Sequence, residues 1–305
     1  MLHKMARMNR MLDSDVSVAL NELNDAARWH AALTLRFEAS HGATRITERA
    51  HSGPLRLLKP LYPEGDRNCH AVIVHPPGGI VAGDALVAKV FVSPAAHAVI
   101  TTPGAQKWYR STASGASADT LLCVETDAAL EWLPQEAIVF DGAVAQQDIS
   151  IELSTTAKFF GWEMVCFGRR ARDERFNRGS FSQDIRVFWD DELLWKESAR
   201  WVGGDPLFDS PLGWKGLTVS ATAWLATGRS DLSQAASDET LLSKIREALG
   251  VATASGASNP APGLFVIKAI GEDAESVREL LIGVWSRIRL DVFGLEPQRP
   301  RIWNT

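Results

Sequence analysis

A chain of 305 residues with 32 Lys plus Arg, 37 Asp plus Glu and a net charge of −5 can build one large domain, and it is too acidic for nucleic acid to be its main partner. Apolar residues at 46% and charged residues at 23% are the proportions of an ordinary globular protein and exclude a disordered chain. Three cysteines, Cys69, Cys123 and Cys166, are odd in number and widely spaced. They exclude a disulfide framework and a zinc ribbon, and predict small buried thiols. No run approaches the ~20 apolar residues of a membrane span, and the N-terminus has no signal-peptide core, so the chain is expected to be cytoplasmic.

Residues 1–28 read as an accessory segment, and the body, 29–305, as a single β-rich domain. Its first signal is strict alternation in Leu33–Glu38, the pattern of a half-buried strand. Similar runs follow at Leu55–Leu61, Ala71–Val74, Leu86–Val92, Ala98–Thr102, Leu121–Val124, Ile149–Leu153, Ile185–Trp189, Leu193–Trp195 and Leu217–Leu225. Turn residues separate them, as in Pro76-Pro77-Gly78-Gly79, Ser93-Pro94 and Asp141-Gly142. Many short strands without intervening helices predict a sandwich, barrel or solenoid, with no countable repeat. Two helices are expected late. One is capped by Asp238, with Leu241, Leu242, Ile245 and Leu249 on its stripe and Gly250 at its end. The other spans 275–290, with Val277, Leu281, Val284, Trp285 and Ile288 on one face. The Ala/Ser/Gly/Pro-rich stretch 252–263 reads as a surface loop. Eleven tryptophans suggest that some of Trp132, Trp162, Trp189, Trp195, Trp201, Trp214, Trp224 and Trp285 form exposed apolar patches for a partner.

Searches for catalytic chemistry fail. The glycine turn His75–Asp84 lacks the Gly-Lys-Ser/Thr of a phosphate loop and runs into a strand. No Gly-x-Ser-x-Gly elbow surrounds Ser111, Ser114 or Ser117, and no histidine follows Cys166, since all seven precede residue 98. His70 and His75 project to opposite faces of a strand, and Cys69 and His75 stand about 20 Å apart along one. What remains is a set of carboxylates inside apolar windows: Asp84, Glu131, Glu163 and Glu197. Each either pairs with a cation or lines a wet internal path, and both readings stay open.

Gly53-Pro54-Leu55, Lys59-Pro60-Leu61-Tyr62-Pro63-Glu64-Gly65, Cys69-His70, the His75–Asp84 turn, Thr101-Thr102-Pro103, Lys107-Trp108-Tyr109-Arg110-Ser111, Leu130-Glu131-Trp132-Leu133-Pro134-Gln135-Glu136, Ile138-Val139-Phe140-Asp141-Gly142-Ala143, Gly161-Trp162-Glu163, Gly168-Arg169 and the closing Pro300-Arg301-Ile302-Trp303 occur in order. As a set they resemble the urease accessory protein family UreD, also called UreH. Ala82, where that pattern has Gly, and the segment 1–28 depart from it. The resemblance implies a mostly β fold, a two-layered β-helix of many short strands with about two α-helices near the C-terminus. It implies a non-catalytic maturation factor that joins a UreF-type accessory protein and a UreG-type GTPase on the urease apoenzyme for nickel insertion. Homodimerisation within the complex is left open, and no tightly bound cofactor is expected, only transient nickel(II). A nickel passage through this subunit would be lined by Asp84, Glu163 and Glu197, with Glu64 and Glu131 as further candidates. Two alternatives are a β-fold metal-dependent enzyme using Asp84, Glu163 and His75, and a plain β scaffold.

Overall fold

The computed structural model describes residues 29–111, 114–228, 234–250 and 254–304. A hairpin of β1 (His30–Ser40) and β2 (Ala43–Ser52) and a short β3 (Arg56–Leu57) precede a run of stacked coils. The first coil is β4 (Asn68–Val74), β5 (Gly79–Ile80) and β6 (Ala85–Val92); the second is β7 (His97–Thr101), β8 (Gln106–Trp108) and β9 (Ala116–Val124). The third is β10 (Ala129–Leu133), β11 (Ala137–Val139) and β12 (Val144–Leu153), and the fourth pairs β13 (Lys158–Phe167) with β14 (Ser180–Trp189). Successive coils stack in parallel register, with Asn68 beside His97, His97 beside Ala129 and Ala129 beside Lys158. The chain then closes with β15 (Glu192–Val202), β16 (Val219–Ala226), α1 (Gln234–Leu249), β17 (Ala254–Ala261), β18 (Leu264–Gly271) and α2 (Ala274–Phe293).

Two broad sheets result, ordered β15-β14-β12-β9-β6-β1-β2 and β17-β18-β16-β13-β10-β7-β4-β3, joined at one side by the narrow column β5-β8-β11. Apolar residues facing between the sheets, among them Leu35, Leu122, Ile151 and Trp224, form one core. The outer face of the second sheet and the two helices enclose another, with Trp162, Phe160, Ile245 and Trp285. The two-layered arrangement with two late helices is therefore present.

The coils do repeat, contrary to the sequence reading, at a spacing of about 30 residues. The repeat escapes notice because its fixed positions are few. At one corner Ala96, Ala128 and Ala157 each donate a backbone N–H to the carbonyl three residues earlier, of Ser93, Glu125 and Ser154, and all three are buried. Their burial leaves little room for a larger side chain where one corner stacks on the next. At another corner Gly179 has φ +93°, and a Cβ there would lie 2.0 Å from the Ala143 carbonyl oxygen.

Other expectations need correction. The Leu55–Leu61 run yields a two-residue strand, because Pro54 and Pro60 bracket it and cannot donate to a ladder. Residues 254–261 form edge strand β17, which pairs with β18 and carries its register shift around Pro260. Asp238 lies inside α1, and its Oδ2 accepts from the Gly263 N–H at 2.7 Å, fastening the helix to the β17–β18 turn. Gly250 does end α1, in the left-handed region at φ +64°. Among the described residues the eight tryptophans expected at patches form none: Trp132, Trp162, Trp189, Trp224 and Trp285 are buried, and Trp195, Trp201 and Trp214 are half-buried against the inter-sheet core. Two separate cores take up the indole. All three cysteines are free, Cys69 and Cys166 buried and Cys123 half-buried. The segment 1–28 lies outside the described residues.

Gly179→Ala should cost at least about 1 kcal/mol, through its positive φ and the carbonyl it would strike. Thermal denaturation measures this; an unchanged midpoint would mean that the corner has room.

Candidate functional site

The acids expected to matter lie in three places. Glu131 and Glu64 are on the outer side of the second sheet, under α2. The strand register sets His70, Val99, Glu131 and Phe160 in one row across β4, β7, β10 and β13. Arg289 of α2, fully buried, descends onto this row. Its Nε donates to Glu131 Oε2 at 2.9 Å, and its Nη2 donates to Glu131 Oε1 at 3.0 Å and Glu64 Oε2 at 2.8 Å. Its Nη1 donates to Glu64 Oε1 and, at 2.7 Å, to the Glu296 carbonyl. Trp285 Nε1 donates to Glu131 Oε2 at 2.6 Å, while His97 Nε2 and His70 Nε2 bond the two carboxylates at 2.9 and 2.5 Å. Burial alone would raise the Glu131 pKa, but His97 and Arg289 outweigh it and hold it at about 2. Glu64 is likewise lowered, with His70 and Arg289 overcoming its burial.

Glu163 and Glu197 occupy a different space, between the sheets. Along β13, Trp162 and Met164 face the helices while Glu163 faces inward, as alternation requires. The interior around it is filled. Gly161 lets Trp132 and Phe159 close in, and a Cβ there would come within 2.9 Å of Trp132 Cβ. Trp132 Nε1 donates to Glu163 Oε1 at 2.9 Å, and Gln147 Nε2 donates to Oε2 at 3.0 Å. Gln147 Oε1 in turn accepts from Gln183 Nε2 at 3.0 Å. These donors lower the Glu163 pKa less than burial raises it, and it stands at about 7.

Register continues this inner row from Glu163 to Thr222 to Lys268 across β13, β16 and β18. Glu197 comes to the row from β15. Its Oε1 meets Lys268 Nζ at 2.8 Å and Thr222 Oγ1 at 3.5 Å. Its Oε2 is buried and has no hydrogen-bond partner. Thus two acids chosen from sequence fall on one polar line, which runs from the last coil at β13 toward the β17 edge of the second sheet.

Asp84 stands apart. Its Oδ1 accepts from the Trp29 N–H and its Oδ2 from the Val81 N–H, each at 3.0 Å, so it ties the glycine turn to the start of β1. It belongs to the first coil and Glu163 to the fourth, so the structure does not bring Asp84, Glu163 and His75 together. Among the described residues no three His, Cys, Asp or Glu side chains gather to hold a metal ion.

Several residues that define these sites escaped the sequence reading. Arg289 had a visible signal, a charge one residue after Ile288 on the apolar stripe of α2. Gln147 and Gln183 had another, being inward positions of otherwise apolar alternations in β12 and β14. Thr222 and Lys268 had none, because only register places them beside Glu163.

Fold and sites define a class: a β-solenoid whose outer acids are neutralised by an internal arginine and whose interior carries a polar row. The sequence model of the "UreD urease accessory protein" family matches residues 30–304. The chain is 42% identical to "Urease accessory protein UreD" of Azoarcus sp. over 277 residues, covering 91% of this chain and 94% of that one. It is 43% identical to "Urease accessory protein UreD 2" of Pseudomonas syringae pv. tomato over 279 residues, covering 91% and 95%. With the Pseudomonas aeruginosa protein of the first name it shares 42% identity over 290 residues, covering 95% and 100%. The chain belongs to the UreD family of urease accessory proteins.

Two stability predictions follow from the opposite environments of the acids. Arg289→Met leaves two carboxylates buried without their cation and should cost about 3–5 kcal/mol, read by chemical denaturation; a cost below about 1 kcal/mol would show that the histidines suffice. Glu163 has a raised folded pKa, so its favourable contribution is complete below its ordinary 4.5 and is lost as pH climbs through about 7. Glu163→Gln keeps the shape without the charge. Its melting temperature relative to the unaltered protein should therefore rise between pH 6 and pH 8.5, whereas a constant difference would contradict the raised pKa.

Proposed function

We propose that this protein is a non-catalytic urease maturation factor in the cytoplasm that supports nickel insertion into apo-urease. In this reading it acts with a UreF-type accessory protein and a UreG-type GTPase, serving as scaffold and as conduit for nickel(II). Family membership supports the maturation role. The observation that favours a conduit over a plain scaffold is the inner polar row, where Glu163 and Glu197 stand in an otherwise apolar interior.

The chemistry suits a carrier. An ion in transit needs oxygen ligands that hold it weakly, in place of the closed thiolate or imidazole cage of a resident zinc. Glu163 offers a carboxylate whose partners are neutral donors, so no protein cation competes for it. Gln147, Gln183 and Thr222 supply neutral oxygens along the way. Glu64 and Glu131 are committed to Arg289 and Asp84 to backbone amides, which leaves Glu163 and Glu197 as the acids of the path. GTP hydrolysis belongs to a partner in this reading, since the glycine turn spans two strands and opens no helix.

Glu163→Leu and Glu197→Leu, each checked for folding and partner binding, should lower the nickel content of urease matured in limiting nickel. Full nickel content in both variants would refute the conduit.

A further inference from the structure

The open end of the inner row holds an unusual group of side chains. Glu197 is half-paired: Oε1 meets the Lys268 ammonium, while Oε2 is buried with no partner. Two more buried polar atoms, Trp195 Nε1 and Trp224 Nε1, lack partners. Trp195 lies two residues before Glu197 on β15, and Trp224 two residues after Thr222 on β16, so alternation puts both on the same inner faces. Their rings pack on the inter-sheet core. Buried polar atoms without a partner are rare in folded proteins; the two indole N–H groups call for water, and the bare Glu197 Oε2 accepts a water or a cation.

Lys268 differs from the rest of the row. Its side chain keeps 53% exposure, against 18% for Glu197. β15 is the last strand of the first sheet, so no further strand covers Lys268 from the opposite side. A long, flexible ammonium arm that is half in solvent can leave its carboxylate at little cost, whereas the buried Arg289 cannot. The two cations therefore do different work. Arg289 holds its acids permanently, and Lys268 occupies one lobe of an acid whose other lobe is bare.

We propose that Lys268 is a gate at the mouth of the inner row: its ammonium competes with a divalent cation for the Glu197 carboxylate and must swing out before the ion binds there. This rests on the conduit reading and adds the regulation of its open end. Removing the ammonium leaves Glu197 with its full charge toward an incoming ion, with Thr222 Oγ1 beside it. An exposed ion pair of this kind is worth up to about 1 kcal/mol, so the gain in ion affinity is about fivefold.

The test is titration of the purified full-length protein with Ni²⁺ alone, followed by equilibrium dialysis, for the unaltered chain, Lys268→Ala, Lys268→Met, Glu197→Gln and the Lys268→Ala/Glu197→Gln pair. Both lysine variants should bind one Ni²⁺ about fivefold more tightly, Met as well as Ala, because charge and not length is the barrier. Adding Glu197→Gln should erase the gain. Equal affinity in the unaltered protein and both lysine variants overturns the gate, as does a gain that survives Glu197→Gln. The conduit reading fails by a separate observation, full urease nickel in the Glu163 and Glu197 leucine variants, so the two outcomes are distinguishable.

Discussion

Arg289 is buried between Glu64 and Glu131, with His70 and His97 closing the far sides of the same two carboxylates. Its partners come from the segment before the first coil and from the third coil, 225 and 158 residues away in sequence. A guanidinium desolvated to this degree is tolerable only when every donor is met, and here all of them find oxygen partners in carboxylates or the Glu296 carbonyl. The consequence is mechanical: α2 cannot shift along the second sheet without stranding two carboxylates. Trp303 adds to this fixation, since its Nε1 donates to Thr101 Oγ1 at 2.8 Å and its ring meets Trp162 and Trp285. The C-terminal Pro-Arg-Ile-Trp motif is thus part of the clasp.

The clasp also sorts the acids. On the outer side of the second sheet carboxylates are ionised and satisfied; on the inner side Glu163 meets only neutral donors. The second sheet itself separates the two regimes, Glu131 facing out from β10 and Glu163 facing in from β13. Stability draws on them in opposite pH ranges. The outer pair contributes above about pH 4.5 and loses that contribution as Glu131 protonates toward 2. Glu163 gives up its contribution as pH climbs from about 4.5 through about 7, and above that its ionised form is a cost that the fold retains. A natural sequence that keeps an uncompensated buried acid where Gln would be neutral departs from local consistency, and such departures gather at functional positions.

How much of this was legible beforehand depended on where each residue's partners lie. β1 announced itself because one face is wet and Leu33, Leu35 and Phe37 alternate with polar neighbours. β13 is buried on both faces, so Phe159 to Phe167 show no alternation, although the inward direction of Glu163 still followed from period two. β17 read as a loop because its Ala, Ser and Gly carry no strand preference; pairing with the strongly apolar β18 recruits it. The corner alanines held a signal of the repeat, but three small residues spaced among variable ones give no pattern until stacking is known. The ion pairs of Glu64 and Glu131 were unreadable for a simpler reason, the hundreds of residues between acid and arginine.

The central claim is that cargo uses the inner row and not the outer acids. Its most direct measurement is anomalous diffraction at the nickel edge from crystals of the full chain soaked in Ni²⁺. The account predicts a peak between the two sheets, beside Glu163 or Glu197, with Arg289 still seated between Glu64 and Glu131. A peak at Glu64, Glu131 or Asp84, with none between the sheets, would contradict it.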